Sequence, residues 1–298
     1  MLMKRFVFEV FLFGLLTLAV LGAGEIYIRQ LPNPARDKHE WMLKHASEVE
    51  TLVLGSSHTF YGVNPAFLGP NAYSLAMVSQ TYRYDDWLLR NYDFKRLKRI
   101  ILPFSYFSFY EDYETGVGDN YISRYRIYMD CPIHRFWSKY NLEVMDFPSY
   151  KEKLKSLYQP QRMTWDERGW GSNYRWSERR DDWDNGEVRA LANTYTDTSA
   201  VALNVDFLSD ILEWGRAHQV EILLVTTPLS EKYRRAMDKA QIVRNHHLLN
   251  SLLTQFPEVI YLDYSSDPSF ISDDFFDSDH LSDRGAEKLT KILAQRLD

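Results

Sequence analysis

Cysteine is nearly lacking in this sequence of 298 residues, which contains only Cys131. A single thiol excludes an intramolecular disulfide and a cysteine-based zinc or iron–sulfur site, although it says little about the cellular compartment. A basic surface is lacking as well, because 35 Lys and Arg residues are outnumbered by 41 Asp and Glu residues. Without an excess of positive charge to neutralise phosphates, nucleic acid is not an expected partner.

Patterns that bind phosphate or metal are also missing from the sequence. Gly116-Val117-Gly118 is not followed by the Lys-Ser/Thr pair of a nucleotide-binding loop. His246 and His247 stand in a helical pattern without matching cysteines or a spaced carboxylate. We therefore predict neither a metal nor another cofactor.

One long apolar run is present, at the N-terminus. Basic residues at positions 4 and 5 precede residues 6–23, which are apolar except for Glu9 and Thr17, and about 20 such residues cross a bilayer core. The basic pair favours a cytoplasmic N-terminus, so that everything after about Gly24 would be extracytoplasmic. A cleaved signal peptide is the alternative, although the end of the run is a poor small-x-small cleavage site.

Short apolar runs alternate with helical patterns along the rest of the chain. We predict strands at residues 50–54, 72–77, 99–104, 221–225 and 259–262, and helices at residues 84–92, 202–218, 242–253 and 284–297. This alternation indicates a parallel sheet with helices on both faces, so the predicted fold class is α/β with three layers. Such sheets carry their sites at the carboxyl ends of the strands.

The chain divides into segments of different composition. We predict a membrane anchor or uncleaved signal at residues 1–24, a proline-marked linker and lead-in at residues 25–47, and the α/β domain at residues 48–298. Residues 111–200 interrupt the alternation with many Tyr, Trp, Arg and Asp side chains, which indicates an inserted cap. Its rings could form a sugar-binding wall, but packing is the more common use of such residues.

The first chemical candidate is Gly55-Ser56-Ser57-His58, directly after the first predicted strand. Glycine relieves crowding in a tight turn, and backbone N–H groups at the start of a following helix can stabilise an oxyanion. A serine in this position can instead cap the helix. His58 either shapes the substrate pocket or is an ordinary turn residue.

The second candidate is Asp277-Ser278-Asp279-His280, just before the last predicted helix. The D-x-x-H spacing lets Asp277 accept a hydrogen bond from one nitrogen of His280, while the other nitrogen takes a serine proton. A solvated or cation-binding acidic loop is the alternative, although the carboxylate spacing and central glycine of a calcium loop are lacking.

Together the two motifs resemble the SGNH (GDSL-type) hydrolase superfamily, and especially its membrane-anchored DltD-like branch. The resemblance covers about residues 48–110 and 202–297 and implies a flavodoxin-like fold. It also implies that Ser57 is the nucleophile, His280 the general base and Asp277 the partner of that base.

The sequence departs from the superfamily at the oxyanion hole. Neither the glycine usual after the second strand nor the asparagine usual after the third is found, because these places hold Met77-Val78-Ser79-Gln80 and Pro103-Phe104-Ser105-Tyr106. Backbone N–H groups near Ser79 and the hydroxyl of Ser105 are our substitute donors, and Ser56 is the reserve nucleophile. Loss of one such donor typically slows a reaction about 10²–10³-fold.

The motifs and the anchor predict an extracytoplasmic serine esterase or O-acyltransferase that passes an acyl group from Ser57 to water or a hydroxyl. The resemblance implies a substrate in a cell-envelope or cell-surface polysaccharide, and a membrane O-acyltransferase as a partner. The alternative is a catalytically inactive scaffold or glycan-binding protein of a polysaccharide modification system, since the usual oxyanion donors are lacking.

Overall fold

The computed structural model describes residues 2–113, 122–132, 142–145, 155 and 163–297. The chain forms two compact units, one of Met1–Asp37 and Tyr113–Arg162, the other of Lys38–Asp112 and Met163–Asp298. Within the predicted cap of residues 111–200, most of residues 114–162 lie outside the described residues. Residues 163–200 of that cap belong to the second unit, which also contains the sheet.

The helices and strands of the described residues are numbered in chain order. Helices α1 to α10 span Leu2–Gln30, Pro34–His45, Ser57–Gly62, Tyr82–Asn91, Ser123–Tyr128, Gly186–Ala192, Val201–His218, Glu231–Ala236, Lys239–Gln255 and Asp283–Leu297. Strands β1 to β5 span Thr51–Val53, Ala72–Ser74, Arg99–Pro103, Glu221–Thr226 and Ile260–Asp263. Short 3-10 helices span Ala46–Glu48, Pro65–Phe67, Glu143–Met145, Trp176–Glu178 and Ser272–Asp274.

The first unit contains α1, whose apolar stretch is long enough to cross a membrane and is exposed along its length. A signal sequence would have the same length and composition. Near the end of α1, the carboxylate of Glu25 accepts hydrogen bonds from the backbone N–H groups of Glu143 (3.1 Å) and Val144 (2.9 Å). This carboxylate therefore ties the helix to a distant part of the chain within the same unit.

The second unit is built on a parallel sheet with the strand order β2-β1-β3-β4-β5. This is the flavodoxin-like order, in which the chain reverses direction across the sheet between β1 and β3. Leu52 of β1 lies opposite Tyr73 on one side and Ile100 on the other. The predicted α/β class with a parallel sheet is confirmed.

Helices cover the sheet because its central strands are apolar on both faces. All residues of β1 are buried, as are the four central residues of β4, and a strand without a polar face needs cover on each side. Helix α4 packs against α7, and α3 packs against α10. The second contact brings the helix that begins with Ser57 next to the helix that follows His280.

The turn after β1 requires glycine. Gly55 has a φ of +102°, and a Cβ atom there would lie 2.0 Å from Cδ of Pro103. Its carbonyl accepts a hydrogen bond from the N–H of Met77 (3.0 Å), and its N–H donates to Asp85 (2.7 Å). The first residue of α3 is thereby held at the carboxyl edge of the sheet, where β1 lies between β2 and β3.

Candidate active site

Ser57 is the first residue of α3 and points its hydroxyl at an imidazole. Its Oγ atom lies 2.8 Å from Nε2 of His280, although 223 positions separate the two residues in the sequence. Ser57 is partly buried, whereas Ser56 is only 5% exposed and its hydroxyl has no hydrogen-bond partner among the described residues. The geometry therefore favours Ser57 over the reserve nucleophile Ser56.

His280 is held on its other nitrogen by a carboxylate. Its Nδ1 lies 2.9 Å and 3.0 Å from the two side-chain oxygens of Asp277. The same carboxylate accepts hydrogen bonds from the backbone N–H groups of Asp279 (3.1 Å) and His280 (2.9 Å). Because Asp277 both caps the loop and binds the ring, the imidazole has a fixed direction towards Ser57.

The loop that carries His280 is closed at its base. Phe275 and Leu281 form an antiparallel bridge, and the N–H of Ser282 donates to the carbonyl of Asp274 (2.9 Å). A Cβ atom at Gly285 would lie 2.0 Å from that carbonyl oxygen, so α10 can begin this close to the loop only with glycine there.

His58 and Ser105 meet each other. Nδ1 of His58 lies 2.8 Å from the hydroxyl oxygen of Ser105, and both residues are buried. The other ring nitrogen of His58 lies 3.7 Å from an oxygen of Asp279, which is too long for a hydrogen bond. This pair therefore joins the ends of β1 and β3 next to Ser57.

Asp279 is a second carboxylate beside His280, and the sequence reasoning did not give it a role. It is fully buried, and one of its oxygens lies 3.4 Å from Nδ1 of His280. Arg189 of α6 binds both of its oxygens, through Nε (3.1 Å) and Nη2 (3.0 Å), and Asn193 donates to one of them (3.3 Å). The position of Asp279 directly before His280 could have indicated that it lies in the site. Nothing in the sequence around Arg189 indicated its contact with Asp279.

The protonation of the site follows from these charges. Burial alone lowers the pKa of His280, but the charges and hydrogen bonds of Asp277 and Asp279 outweigh burial and raise that pKa to about 10. Burial raises the pKa of the Asp279 carboxyl, yet His280 and His58 hold it well below its usual range. Burial lowers the pKa of His58 and outweighs the attraction of Asp279.

The predicted oxyanion donor Ser79 lies in a turn after β2. Its φ of +56° is in the left-handed region. The neighbouring Gln80 donates its side-chain amide to Oδ1 of Asp85 (2.6 Å), the same atom that accepts the N–H of Gly55 (2.7 Å). One buried carboxylate thus links the turn that precedes Ser57 to the turn that contains Ser79.

Aromatic rings form a wall beside the imidazole. Tyr61 of α3 stacks on Tyr174 with ring centroids 3.6 Å apart, and Tyr174 stacks on Phe276 at 4.1 Å. Both tyrosine rings stand edge-on to His280, at 5.8 Å and 5.4 Å. Tyr174 and Phe276 are partly exposed, so part of this wall beside His280 is accessible to solvent.

Metal binding does not fit the polar cluster of this site. His58, Asp279 and His280 bring ligand-type atoms within 4.8 Å of one another. The guanidinium of Arg189 already binds both oxygens of Asp279, and its positive charge opposes a cation there. We therefore do not treat these side chains as metal ligands.

Comparisons with known proteins give one family and several solved structures of low sequence identity. The family DUF1574, described as a protein of unknown function, matches residues 125–297, which is more than half of the chain. No curated protein matches the sequence.

Solved structures similar to this chain include a proposed platelet activating factor from Streptococcus pneumonia, with 12% identity, a TM-score of 0.45 and coverage of 95% of this chain and 99% of the other. A GDSL-like lipase from Bacteroides thetaiotaomicron has 10% identity, a TM-score of 0.42 and coverage of 89% and 100%. A proposed acylhydrolase from Bacteroides fragilis has 10% identity, a TM-score of 0.40 and coverage of 89% and 99%. At these values the side chains of this protein have to carry any statement about its chemistry.

Proposed function

This chain belongs to the DUF1574 family, which is described only as a protein of unknown function, and we propose that it is a serine esterase or O-acyltransferase that forms an acyl-serine at Ser57. The observation that carries the proposal is the line of hydrogen bonds from Ser57 through His280 to Asp277, with distances of 2.8 Å and 2.9 Å. A hydroxyl, an imidazole and a carboxylate in this order are the parts of a nucleophilic acyl-transfer site.

The reaction follows from these three side chains. The free base of His280 takes the proton of Ser57 while the serine oxygen bonds to the ester carbonyl carbon and the carbonyl oxygen becomes an oxyanion. The imidazolium then gives its proton to the departing alkoxide oxygen as the ester bond breaks, which leaves an acyl-serine. Water or an acceptor hydroxyl attacks this acyl group, its proton passes to His280, and Ser57 regains a proton as it leaves.

Oxyanion stabilisation is assigned to backbone donors. The N–H of Ser57 is one candidate, because the first N–H groups of a helix have no partner within it. Ser79 supplies the other, since its turn is joined to the Ser57 turn through Asp85. The hydroxyl of Ser105 is the weaker candidate, because it contacts His58.

The acyl acceptor is proposed from the anchor and the family resemblance. With α1 in the membrane and the second unit extracytoplasmic, the substrate is an ester of a cell-envelope polymer, in the manner of the DltD-like branch of the SGNH hydrolases. A membrane O-acyltransferase would then supply the acyl group. Protease treatment of spheroplasts tests the orientation, because digestion beyond Gly24 supports it and full protection contradicts it.

A fluorophosphonate probe, which reacts with activated serines, tests the enzymatic proposal. The full-length protein should be labelled, Ser57→Ala should not, and the matched variant Ser56→Ala should be labelled like the wild type. A folded wild-type protein that remains unlabelled between pH 7 and pH 10 contradicts the proposal. That outcome supports the alternative of an inactive scaffold or glycan-binding protein, which the missing glycine and asparagine donors favour.

A further inference from the structure

His280 lies between two carboxylates, and among the described residues a cation compensates only one of them. Asp277 is 26% exposed and binds the ring directly. Asp279 is fully buried and lies 3.4 Å from the same ring nitrogen. Both of its oxygens accept hydrogen bonds from the guanidinium of Arg189. Two negative charges beside one imidazole stabilise its protonated form, and a protonated imidazole cannot accept the serine proton.

Arg189 is held in place by the packing of its helix. A Cβ atom on Gly186, at the start of α6, would lie 2.2 Å from the backbone nitrogen of Tyr233, so α6 and α8 are in close contact. Ala190, next to Arg189, is fully buried in a cluster with Tyr233. The hydroxyl of Tyr233 accepts a hydrogen bond from Asn193 (2.7 Å), which also donates to Asp279. The packing of α6 against α8 therefore holds Arg189 next to Asp279.

We propose that Arg189 is a positioning residue for the base: it neutralises Asp279, so that this buried carboxylate anchors the His280 loop to α6 without adding an uncompensated negative charge beside the imidazole. This inference rests on the proposed function, since it concerns the base of that reaction. It assigns separate tasks to the two carboxylates, because Asp277 stabilises the imidazolium during the reaction and Asp279 supports the geometry.

The polar groups around His280 are consistent with this division. They are Asp277 and Asp279 on its own loop, Ser57, His58 and Tyr61 on α3, Tyr174, and Arg189 behind Asp279. Arg189 is the cation among these groups that stays charged at every working pH. The raised pKa of His280, about 10, has both carboxylates among its causes, so the removal of either Asp279 or its counter-charge should shift that pKa, in opposite directions.

The experiment measures how the rate of fluorophosphonate labelling at Ser57 depends on pH, using the full-length protein from pH 6 to pH 10.5. The wild-type rate should rise with pH as His280 loses its proton. Asp279→Asn should move this rise to lower pH by about one unit, which is about a tenfold faster reaction at pH 7. Arg189→Met should move it to higher pH by a similar amount, and Arg189→Lys should restore most of the wild-type profile.

The double variant Arg189→Met/Asp279→Asn separates this role from a direct one. If Arg189 acts only through Asp279, the double variant has the profile of Asp279→Asn alone. The double variant also leaves no unpaired buried charge. If Arg189→Met fails to fold, the double variant therefore still tests whether Arg189 acts only through Asp279. Arg216→Met is the matched control, because it breaks a bidentate ion pair with Glu258 on the surface. It should leave the pH dependence of labelling unchanged.

The outcomes are distinct. A wild-type protein that is not labelled at any pH contradicts the proposed function itself. A labelled wild type whose profile is unchanged by Asp279→Asn, or a double variant that differs from Asp279→Asn, overturns the role of Arg189 and leaves the proposed function standing.

Discussion

Asp85 should make the folded protein less stable as the pH rises from 4 to 7. Its side chain on α4 is 1% exposed, and Oδ2 has no hydrogen-bond partner among the described residues. Burial raises the pKa of this carboxyl from 3.8 to about 7, against the lowering effect of the hydrogen bonds from Gln80 and Gly55. Between these two pH values the unfolded chain releases a proton that the folded chain retains.

The size of the effect follows from that interval. When the unfolded state binds fewer protons than the folded state, the free energy of unfolding falls with rising pH, by about 1.36 kcal/mol per pH unit for one proton. Over roughly three pH units the loss is about 4 kcal/mol, complete above pH 7. Asp85→Asn cannot ionise, so its stability relative to the wild type should improve by about this amount between pH 4 and pH 8.

Urea denaturation of the full-length protein in detergent, followed by tryptophan fluorescence at several pH values, measures this difference. Asp93→Asn is the control, because Asp93 is 77% exposed. The free energy of unfolding of this variant should change with pH as that of the wild type does. If the free energy of unfolding of Asp85→Asn also changes with pH as that of the wild type does between pH 4 and pH 8, then Asp85 does not hold a proton in the folded state. The reasoning from burial would then be refuted.

Two further substitutions test the site and its turn. Asp277→Asn should slow the labelling of Ser57 about 10⁴-fold, because an amide favours the wrong imidazole tautomer; a loss of less than tenfold contradicts its orienting role. Gly55→Ala should destabilise the protein by a few kcal/mol more than Gly69→Ala in thermal denaturation, since both glycines have a positive φ but only Gly55 faces an obstacle, Pro103 at 2.0 Å. Equal effects of the two glycine substitutions contradict the close contact.

The sequence predicted the sheet well because its strands are short apolar runs that end in turns. The predicted strand at residues 72–77 was too long, since the pairing of β2 with β1 ends where Ser74 lies opposite Val53. Beyond that residue the carbonyl of Ala76 accepts a hydrogen bond from Lys38 (2.5 Å) and the N–H of Met77 donates to Gly55. An apolar pattern indicates burial, and Leu75, Ala76 and Met77 are buried without being part of the strand.

The meeting of Ser57 with His280 and Asp277 was predictable because each motif is local and a parallel sheet gathers loops at one edge. The contact of Arg189 with Asp279 was not, because it joins a short helix in an aromatic-rich segment to a loop 90 positions away. The burial of Asp85 was equally hidden, since nothing in the pattern of α4 separates it from the neighbouring Asp86. Pairings between distant polar side chains depend on how helices pack, which hydrophobic periodicity does not record.

The distance along the chain between Ser57 and His280 has a consequence for biosynthesis. Ser57 is synthesised well before His280, so a polypeptide that ends before position 280 contains the serine hydroxyl without the imidazole that lies 2.8 Å from it. Under the proposed function, the serine therefore has no base until the loop of His280 has folded beside α3.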